Sequence, residues 1–100
     1  MLQQLRIYRI EEGKFDEFLR LWLAGVFTIR QAKGWEVQAW AVPEKSELVW
    51  ILSCDCTREE WEEKERDYYS SPERKSLNPD PGQYVIDKAP RWLEPLSPKR

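Results

Sequence analysis

The sequence predicts an α+β fold in which one antiparallel sheet carries two helices on one face. The predicted elements follow the order strand, helix, strand, strand, helix, strand, which is the split βαβ or ferredoxin-like βαββαβ arrangement. Residues 35–42 and 47–54 are predicted as two strands joined by a short polar connection, as in a hairpin. The second of these strands is apolar on both faces, so we expect it to be central and covered on both sides.

Size and charge limit the classes of protein to consider. The chain has 100 residues, too few for two separate cores, so we expect one domain over residues 1–96 and a tail over 97–100. The net charge is −2, and 16 basic residues are scattered among 18 acidic ones. This pattern argues against a nucleic-acid partner, which needs a clustered basic surface. No apolar run is long enough for a signal peptide or a membrane span, so we expect a cytoplasmic protein with no membrane partner.

Residue types that bind metals or carry out acid–base chemistry are scarce. The sequence contains no histidine, which excludes histidine-based catalysis. Its two cysteines, Cys54 and Cys56, flank Asp55, and a bridge between them would be strained and would close almost no loop. We therefore expect free thiols. These three residues cannot complete a metal site alone, so we expect no metal and no cofactor.

The first half of the chain is predicted as a strand followed by a long helix. Residues 3–10 alternate as a strand does, and residues 14–33 form one helix that ends at Gly34. Two apolar stripes run along this helix at helical spacing. The wide arc that they form suits a helix packed on a sheet. The stripes are Phe15, Phe18, Trp22, Val26 and Ile29, and beside them Leu19, Leu23 and Phe27.

The second helix begins at a capping box, with Thr57 as N-cap and Glu60 three residues later. Ser71 and Pro72 are predicted as a new N-cap and the first residue of a short helical turn. Residues 78–82 must form a loop because they are rich in proline and glycine. The last strand is predicted over residues 84–88, extending toward Trp92.

The inward stripe of the second helix is aromatic but includes one carboxylate. Trp61, Glu65, Tyr68 and Tyr69 lie at i, i+4, i+7 and i+8 and therefore share a face. A helix that only packs against a core would carry Leu or Ala in place of Glu65. We expect this face either to be loosely packed and hydrated or to line a cleft.

A domain of this topology leaves the second face of its sheet bare. The hairpin strands carry apolar residues on both faces, with Trp50 and Leu52 on one and Val49 and Ile51 on the other. We therefore expect a second sheet to cover the bare face. A homodimer, sheet on sheet, is the simplest way to supply it.

Three segments resemble the NIPSNAP-like family. They are the opening L-R-I-Y-R-I-E-E-G-K-F-D-E-F, the hairpin strand W-x-V-x-A-W and the segment Y-Y-S-S-P-E-R-K-S-L-N-P-D-P, and the resemblance extends over residues 5–96. It implies a dimeric α+β barrel, in which ferredoxin-like domains pair through their sheets. It implies little about chemistry, because most NIPSNAP-like proteins lack an assigned activity.

The wider superfamily that the resemblance implies includes cofactor-independent monooxygenases, haem proteins and small isomerases, with sites in a cleft between sheet and helices. The haem proteins use a histidine, which is missing here. In such a cleft the candidate catalytic residues are Glu65 as base, Arg6 as anion holder and Tyr68. The alternative is that Glu65 only pairs with Arg6 or a lysine and that the tyrosines only pack. Candidate binding residues for an aromatic substrate are Tyr8, Trp22, Trp40, Trp50, Trp61 and Tyr69.

These residues support two hypotheses of different classes. The favoured one is a small dimeric protein that binds an apolar or aromatic molecule in the cleft, or acts as an assembly module. The alternative is a cofactor-independent monooxygenase or isomerase acting on an aromatic or quinol-like substrate. RNA-binding domains share the topology, but they carry a basic surface, and the scattered charges of this chain argue against that function. A sensor of amino acids on the same topology is a further alternative.

Overall fold

A four-stranded antiparallel sheet in the order β2-β3-β1-β4 forms the centre of the protein in a computed structural model that describes residues 1–96. The element order confirms the ferredoxin-like α+β fold, while the tail expected over 97–100 lies outside the described residues. Within residues 1–96, none of the helices combines the length and hydropathy that a bilayer-spanning segment requires. The elements are β1 (Leu2–Ile10), α1 (Phe15–Trp22), a π-helical segment (Leu23–Phe27), α2 (Thr28–Ala32), β2 (Glu36–Val42), β3 (Glu47–Cys54), α3 (Arg58–Ser70), α4 (Pro72–Lys75) and β4 (Val85–Leu93).

The register of the sheet decides which side chains face the helices. Arg6 on β1 pairs with Trp50 on β3, and side chains two positions away along each strand share their face. This face is the helix-covered one, because Arg6 contacts Glu65 on α3. The apolar side chains between sheet and helices are almost fully buried and form the core. They include Ile10, Phe18, Trp22, Leu48, Trp50 and Leu52.

The first helix contains a π-helical segment, where the sequence predicts one continuous α-helix. A π turn bonds to residue i+5 and so rotates the chain less per residue than an α turn does. Arg30 is thereby brought onto the buried side with Trp22 and Val26, although it lies eight positions beyond Trp22. The Thr28 hydroxyl donates to the Leu23 carbonyl at 2.9 Å, which gives that carbonyl a partner inside the widened turn.

Both predicted helix caps are confirmed. The Thr57 hydroxyl accepts from the Glu60 N–H at 3.2 Å, and the Glu60 carboxylate accepts from the Thr57 N–H at 2.9 Å. At the start of α4, the Ser71 hydroxyl accepts from the Arg74 N–H at 3.2 Å. The first cap fixes the start of α3 after β3, and the second fixes the start of α4 directly after α3. They therefore position Tyr68, at the end of α3, next to Arg74.

The expectation of free thiols is wrong, because Cys54 and Cys56 form a disulfide. Their Cα atoms lie 5.4 Å apart, within the range that disulfides usually span. Cys54 ends β3 and the chain bends at Asp55, so the two side chains converge. From the sequence we considered only that a bridge across one residue would be strained and would close almost no loop, and we did not anticipate the bend at Asp55.

The sheet face opposite the helices is apolar along two neighbouring rows. Trp40, Val49 and Ile7 pair across three strands in one row, and Ile51 and Leu5 pair in the next. Trp40 is 52% exposed, and the other four side chains remain only half-buried although their strands are central. These five residues form the open face of the sheet.

Candidate functional site

Two adjoining cavities lie between the helix-facing side of the sheet and the helices. The inner cavity has a volume of about 40 Å³ and is the more enclosed of the two, and the outer cavity has a volume of about 220 Å³. Tyr8, Tyr69 and Lys88 line both cavities, so the two form one cleft. Six aromatic side chains line the inner cavity. They are Tyr8, Phe18, Trp22, Trp50, Tyr68 and Tyr69.

The rings of the cleft wall pack edge to face. The centroid of Trp50 lies 5.2 Å from that of Trp22 and 5.6 Å from that of Tyr8. The centroids of Tyr68 and Tyr69 lie 5.0 Å apart on α3. Each ring is held by its neighbour, so the wall is stiff and presents an apolar surface of fixed shape.

Glu65 lies in the wall of the outer cavity between two arginines. Its Oε2 accepts from Nη2 of Arg6 at 3.1 Å, and its Oε1 accepts from Nη1 of Arg30. Nε of Arg6 donates in turn to Oε1 of Gln4 at 2.7 Å. Guanidinium groups therefore engage both carboxylate oxygens and fix the orientation of the carboxylate. The structure thus contains the pairing with Arg6 that the sequence offered as the alternative role of Glu65.

Arg30 is only 1% exposed, which is unusual for a charged side chain. Its guanidinium carbon lies 3.7 Å from the ring centroid of Tyr68 and 5.1 Å from that of Trp35. These aromatic faces and the Glu65 carboxylate replace the water that the guanidinium loses on burial. Arg30 therefore connects α2 to α3 across the back of the cleft.

Arg6, Tyr8 and Tyr68 are protonated at neutral pH, and their surroundings raise the pKa of each. Burial alone would lower the pKa of Arg6, but the neighbouring Glu65 carboxylate raises it above its ordinary value. Burial also raises the pKa of Tyr8 and of Tyr68, in both cases against the opposing effect of nearby guanidinium groups. The cleft thus presents a charged guanidinium and two neutral phenols, all of which are able to donate hydrogen bonds.

Arg74 borders the inner cavity from α4. Its Nη2 donates to Oδ1 of Asp80 at 3.1 Å, and its guanidinium carbon lies 5.9 Å from the ring centroids of Tyr68 and Tyr69. Burial alone would lower the pKa of Arg74, but the hydrogen bond with Asp80 raises it. A second permanent positive charge therefore borders the inner cavity, together with Arg30.

The structure brings seven of the nine predicted site residues together in the cleft. They come from β1, α1, β3 and α3, which are adjacent only because the helices pack on one face of the sheet. Two line the outer cavity, three line the inner cavity and two line both. In that order they are Arg6 and Glu65, then Trp22, Trp50 and Tyr68, then Tyr8 and Tyr69.

The structure places the other two predicted residues, Trp40 and Trp61, away from the cleft. Trp61 is 3% exposed and lies 4.6 Å from Trp35 and 5.0 Å from Trp92 between ring centroids, in the core near the start of α3. It shares a helix face with Tyr68, but seven residues of helix separate the two by about 10 Å. Trp40 belongs to the open face, because it pairs with Val49 on the side of the sheet opposite the cleft.

Three cationic residues of the cleft were missed from the sequence, namely Arg30, Arg74 and Lys88. For Arg30 a signal exists, since it is a charged residue that continues a stripe otherwise made of Trp22 and Val26. No such signal exists for Lys88. It reaches the cleft because β4 pairs with β1 in a register that sets it opposite Tyr8.

Solved structures share this fold. An uncharacterized NIPSNAP domain protein from Burkholderia xenovorans matches with a TM-score of 0.83 at 20% identity, over 97% of this chain and 96% of that one. A NIPSNAP family protein from Agrobacterium tumefaciens also matches with a TM-score of 0.83 at 20% identity, over 99% of this chain and 98% of its own. A protein solved as an antibiotic biosynthesis monooxygenase matches with a TM-score of 0.70 at 14% identity, over 97% of this chain and all of the other.

No protein-family model and no curated protein sequence matches this chain. The structural matches cover nearly the whole of each chain, so they concern the complete fold and not a shared fragment. They confirm the ferredoxin-like α+β fold that the sequence predicted. At these identities they carry no assignment of a ligand or a reaction to the cleft.

Proposed function

We propose that the protein is a homodimer that binds a small aromatic molecule in the cleft without transforming it. The observation that carries this proposal is the cleft itself, which has stiff aromatic walls and a polar rim. Such a combination is typical of small-molecule sites, in which rings supply contact area and a few polar groups fix the orientation. The outer cavity, at about 220 Å³, exceeds the volume of about 150 Å³ that holds benzene in an apolar cavity.

The engagement of Glu65 favours binding over catalysis. A cofactor-independent oxygenase needs a base that lies within hydrogen-bond reach of the proton that it takes from the substrate. Both oxygens of Glu65 accept from Arg6 and Arg30. Turning Glu65 toward a substrate would leave the buried charge of Arg30 without its partner, which is costly.

The open face supports the homodimer. It places five apolar side chains in two rows on the outside of the sheet, and an apolar surface of this extent on a small domain is typical of a protein interface. A second copy offers the same rows by symmetry, so an isologous sheet-on-sheet contact buries both. The cleft lies on the other side of the sheet, so the dimer leaves its lining intact.

The test is the native mass of the purified protein under gentle ionisation. We expect a species of about 24 kDa, twice the 12.1 kDa of one chain, with additional mass from a bound aromatic compound. A monomer would contradict the role of the open face. A dimer that neither carries a small molecule nor takes one up from a set of soluble aromatic compounds would contradict the binding proposal.

A separate measurement addresses the monooxygenase alternative. Purified protein is mixed with a quinol-like substrate and oxygen consumption is followed for the wild type and for Glu65→Gln. The binding proposal expects no turnover by either. Turnover by the wild type that the substitution abolishes would assign the protein to the catalytic alternative.

A further inference from the structure

Five of the buried donor groups that lack an acceptor among residues 1–96 belong to side chains that line the inner cavity. Four of these side chains are each 1% exposed, namely Trp22, Trp50, Tyr68 and Arg30. A buried donor without an acceptor has lost its hydrogen bonds to water and gained none in return, so proteins rarely keep one without a reason. Several such donors around one cavity indicate that the cavity holds a hydrogen-bonding partner. The five groups are Trp22 Nε1, Trp50 Nε1, Tyr68 OH, Arg30 Nε and Arg74 Nε.

Four of these five groups can only donate hydrogen bonds, because indole and guanidinium nitrogens never accept them. The fifth, the hydroxyl of Tyr68, keeps its proton at neutral pH because burial raises its pKa, and it can both donate and accept. A molecule that satisfies this cavity must therefore bring acceptors, and an anionic oxygen is the strongest acceptor available.

The charges around the cleft also favour an anion. Arg6, Arg30, Arg74 and Lys88 line the two cavities, whereas Glu65 is the one carboxylate in either lining among the described residues. Asp80 pairs with Arg74 from outside, so the cations still outnumber the carboxylates by four to two. This excess of positive charge stands out in a chain whose net charge is −2.

We propose that the inner cavity binds the carboxylate of a small aromatic acid, whose ring occupies the outer cavity between Tyr8 and Tyr69. The inference rests on the proposed binding function and specifies the ligand class. A carboxylate is favoured over a phosphate because the inner cavity measures only about 40 Å³.

Water is the competing occupant, since a water molecule accepts two hydrogen bonds and the inner cavity is large enough for it. The two occupants differ in what they predict for ligand binding. If the inner cavity holds only water, the affinity for an aromatic acid does not depend on the donors there. If it holds the carboxylate, the affinity for the acid depends on those donors, Tyr68 among them.

The experiment measures binding of benzoate and of benzyl alcohol by calorimetry and by the fluorescence of the cleft tryptophans. We expect benzoate to bind at least tenfold more tightly than benzyl alcohol, because hydrogen bonds to a charged acceptor are the stronger ones. Equal affinity for the two probes would overturn the carboxylate site and leave the proposed binding function standing. Failure of both probes to bind would overturn the site and the proposed function together.

Substitutions then test whether the carboxylate lies in the inner cavity. Tyr68→Phe removes one donor and keeps the ring, so we expect benzoate affinity to fall about tenfold while benzyl alcohol affinity is unchanged. Tyr84→Phe is the matched control, because Tyr84 is half-buried and lines neither cavity. Benzoate binding that Tyr68→Phe leaves unaffected would show that the donors hold only water.

A second substitution covers the case in which Tyr68→Phe alters folding. Lys88 is exposed at the rim of both cavities, and Lys88→Gln removes its charge without disturbing the core. We expect benzoate affinity to fall about threefold, as for a partly solvated charge. Lys45→Gln, at the exposed hairpin connection, is the control. Equal affinities for Lys88→Gln and Lys45→Gln would contradict the proposed place of the carboxylate.

Discussion

The central carbon of the Arg30 guanidinium lies 3.7 Å from the centroid of the Tyr68 ring. The same guanidinium forms an ion pair with Glu65, one turn earlier on α3. One buried cation thereby holds both a ring of the inner cavity and the carboxylate of the outer cavity. The stability of the protein and the charge of its cleft are consequently linked through these three residues.

Glu65→Gln is expected to change stability and anion binding in opposite directions. The substitution leaves the buried charge of Arg30 without a counter-ion, so the free energy of unfolding should fall by about 2 kcal/mol. It also removes the negative charge from the cleft wall, so benzoate should bind more tightly. Urea denaturation and calorimetry measure the two effects.

The matched control for Glu65→Gln is Glu62→Gln, at an exposed position of the same helix. It should change neither quantity by more than a few tenths of a kcal/mol. Weaker benzoate binding by Glu65→Gln would contradict the prediction, because it would mean that Glu65 assists the ligand.

Ile51→Lys is expected to produce a folded monomer. Ile51 lies on a central strand of the open face, where a charge would be buried against the second sheet without a partner. Size-exclusion chromatography with light scattering should give about 12 kDa instead of about 24 kDa, with circular dichroism unchanged. Arg66→Glu, on an exposed position of α3, should remain dimeric.

Trp40→Ser distinguishes the open face from the cleft. Trp40 is 52% exposed on the open face, so its loss should weaken dimerisation and leave benzoate affinity unchanged. The measurement is the dimer dissociation constant from dilution, alongside calorimetry at a concentration at which the protein stays dimeric. Reduced benzoate affinity in the intact dimer would show that Trp40 contributes to ligand binding, as the sequence analysis proposed.

Stability is expected to fall at high pH partly through Tyr68. Burial raises the pKa of this phenol in the folded protein, whereas unfolded tyrosine titrates at about 10. The folded protein therefore binds this proton more tightly than the unfolded chain does. The stability that this difference provides is complete below about pH 10 and is lost as the pH rises through the raised pKa of Tyr68. Urea denaturation between pH 8 and about pH 11 should show a shallower decline for Tyr68→Phe than for the wild type.

Thr57→Ala is expected to destabilise the protein by about 1 kcal/mol, because it removes the hydroxyl of the capping box. Thermal or urea unfolding measures the change, and Thr57→Ser should restore most of the stability. Equal stability of the alanine and serine variants would show that the cap hydrogen bond contributes nothing measurable. Benzoate affinity should be the same in both, since Thr57 lies at the far end of α3 from Tyr68.

Local patterns in the sequence were sufficient for the elements and their ends. The capping box at Thr57 and the N-cap at Ser71 were predicted because their hydrogen bonds join residues within three positions. Faces were predicted where period two or period 3.6 applies without interruption, as on β1 and α3. Arg30 was missed because the predicted stripe continued from Val26 to Ile29, whereas beyond the π-helical segment it is Arg30 that is buried.

Trp40 and Trp61 show why the cleft itself could not be delimited from the sequence. Trp61 shares its helical stripe with Tyr68, and periodicity gives the direction of a side chain but not the position along the helix at which a cavity opens. The face of Trp40 follows from the pairing of β2 with β3. Which face of that sheet the helices cover depends on packing between distant parts of the chain.

The sequence by itself determined the α+β class, the order of strands and helices, the caps of α3 and α4 and the aromatic character of the site. These properties follow from interactions between residues a few positions apart, which a single sequence displays. Only the tertiary structure decided that Arg30, Arg74 and Lys88 surround one cavity, that Glu65 is held between two arginines and that Cys54 joins Cys56. Helix packing, sheet register and a local bend bring these groups together, and none of the three is encoded in a periodic pattern.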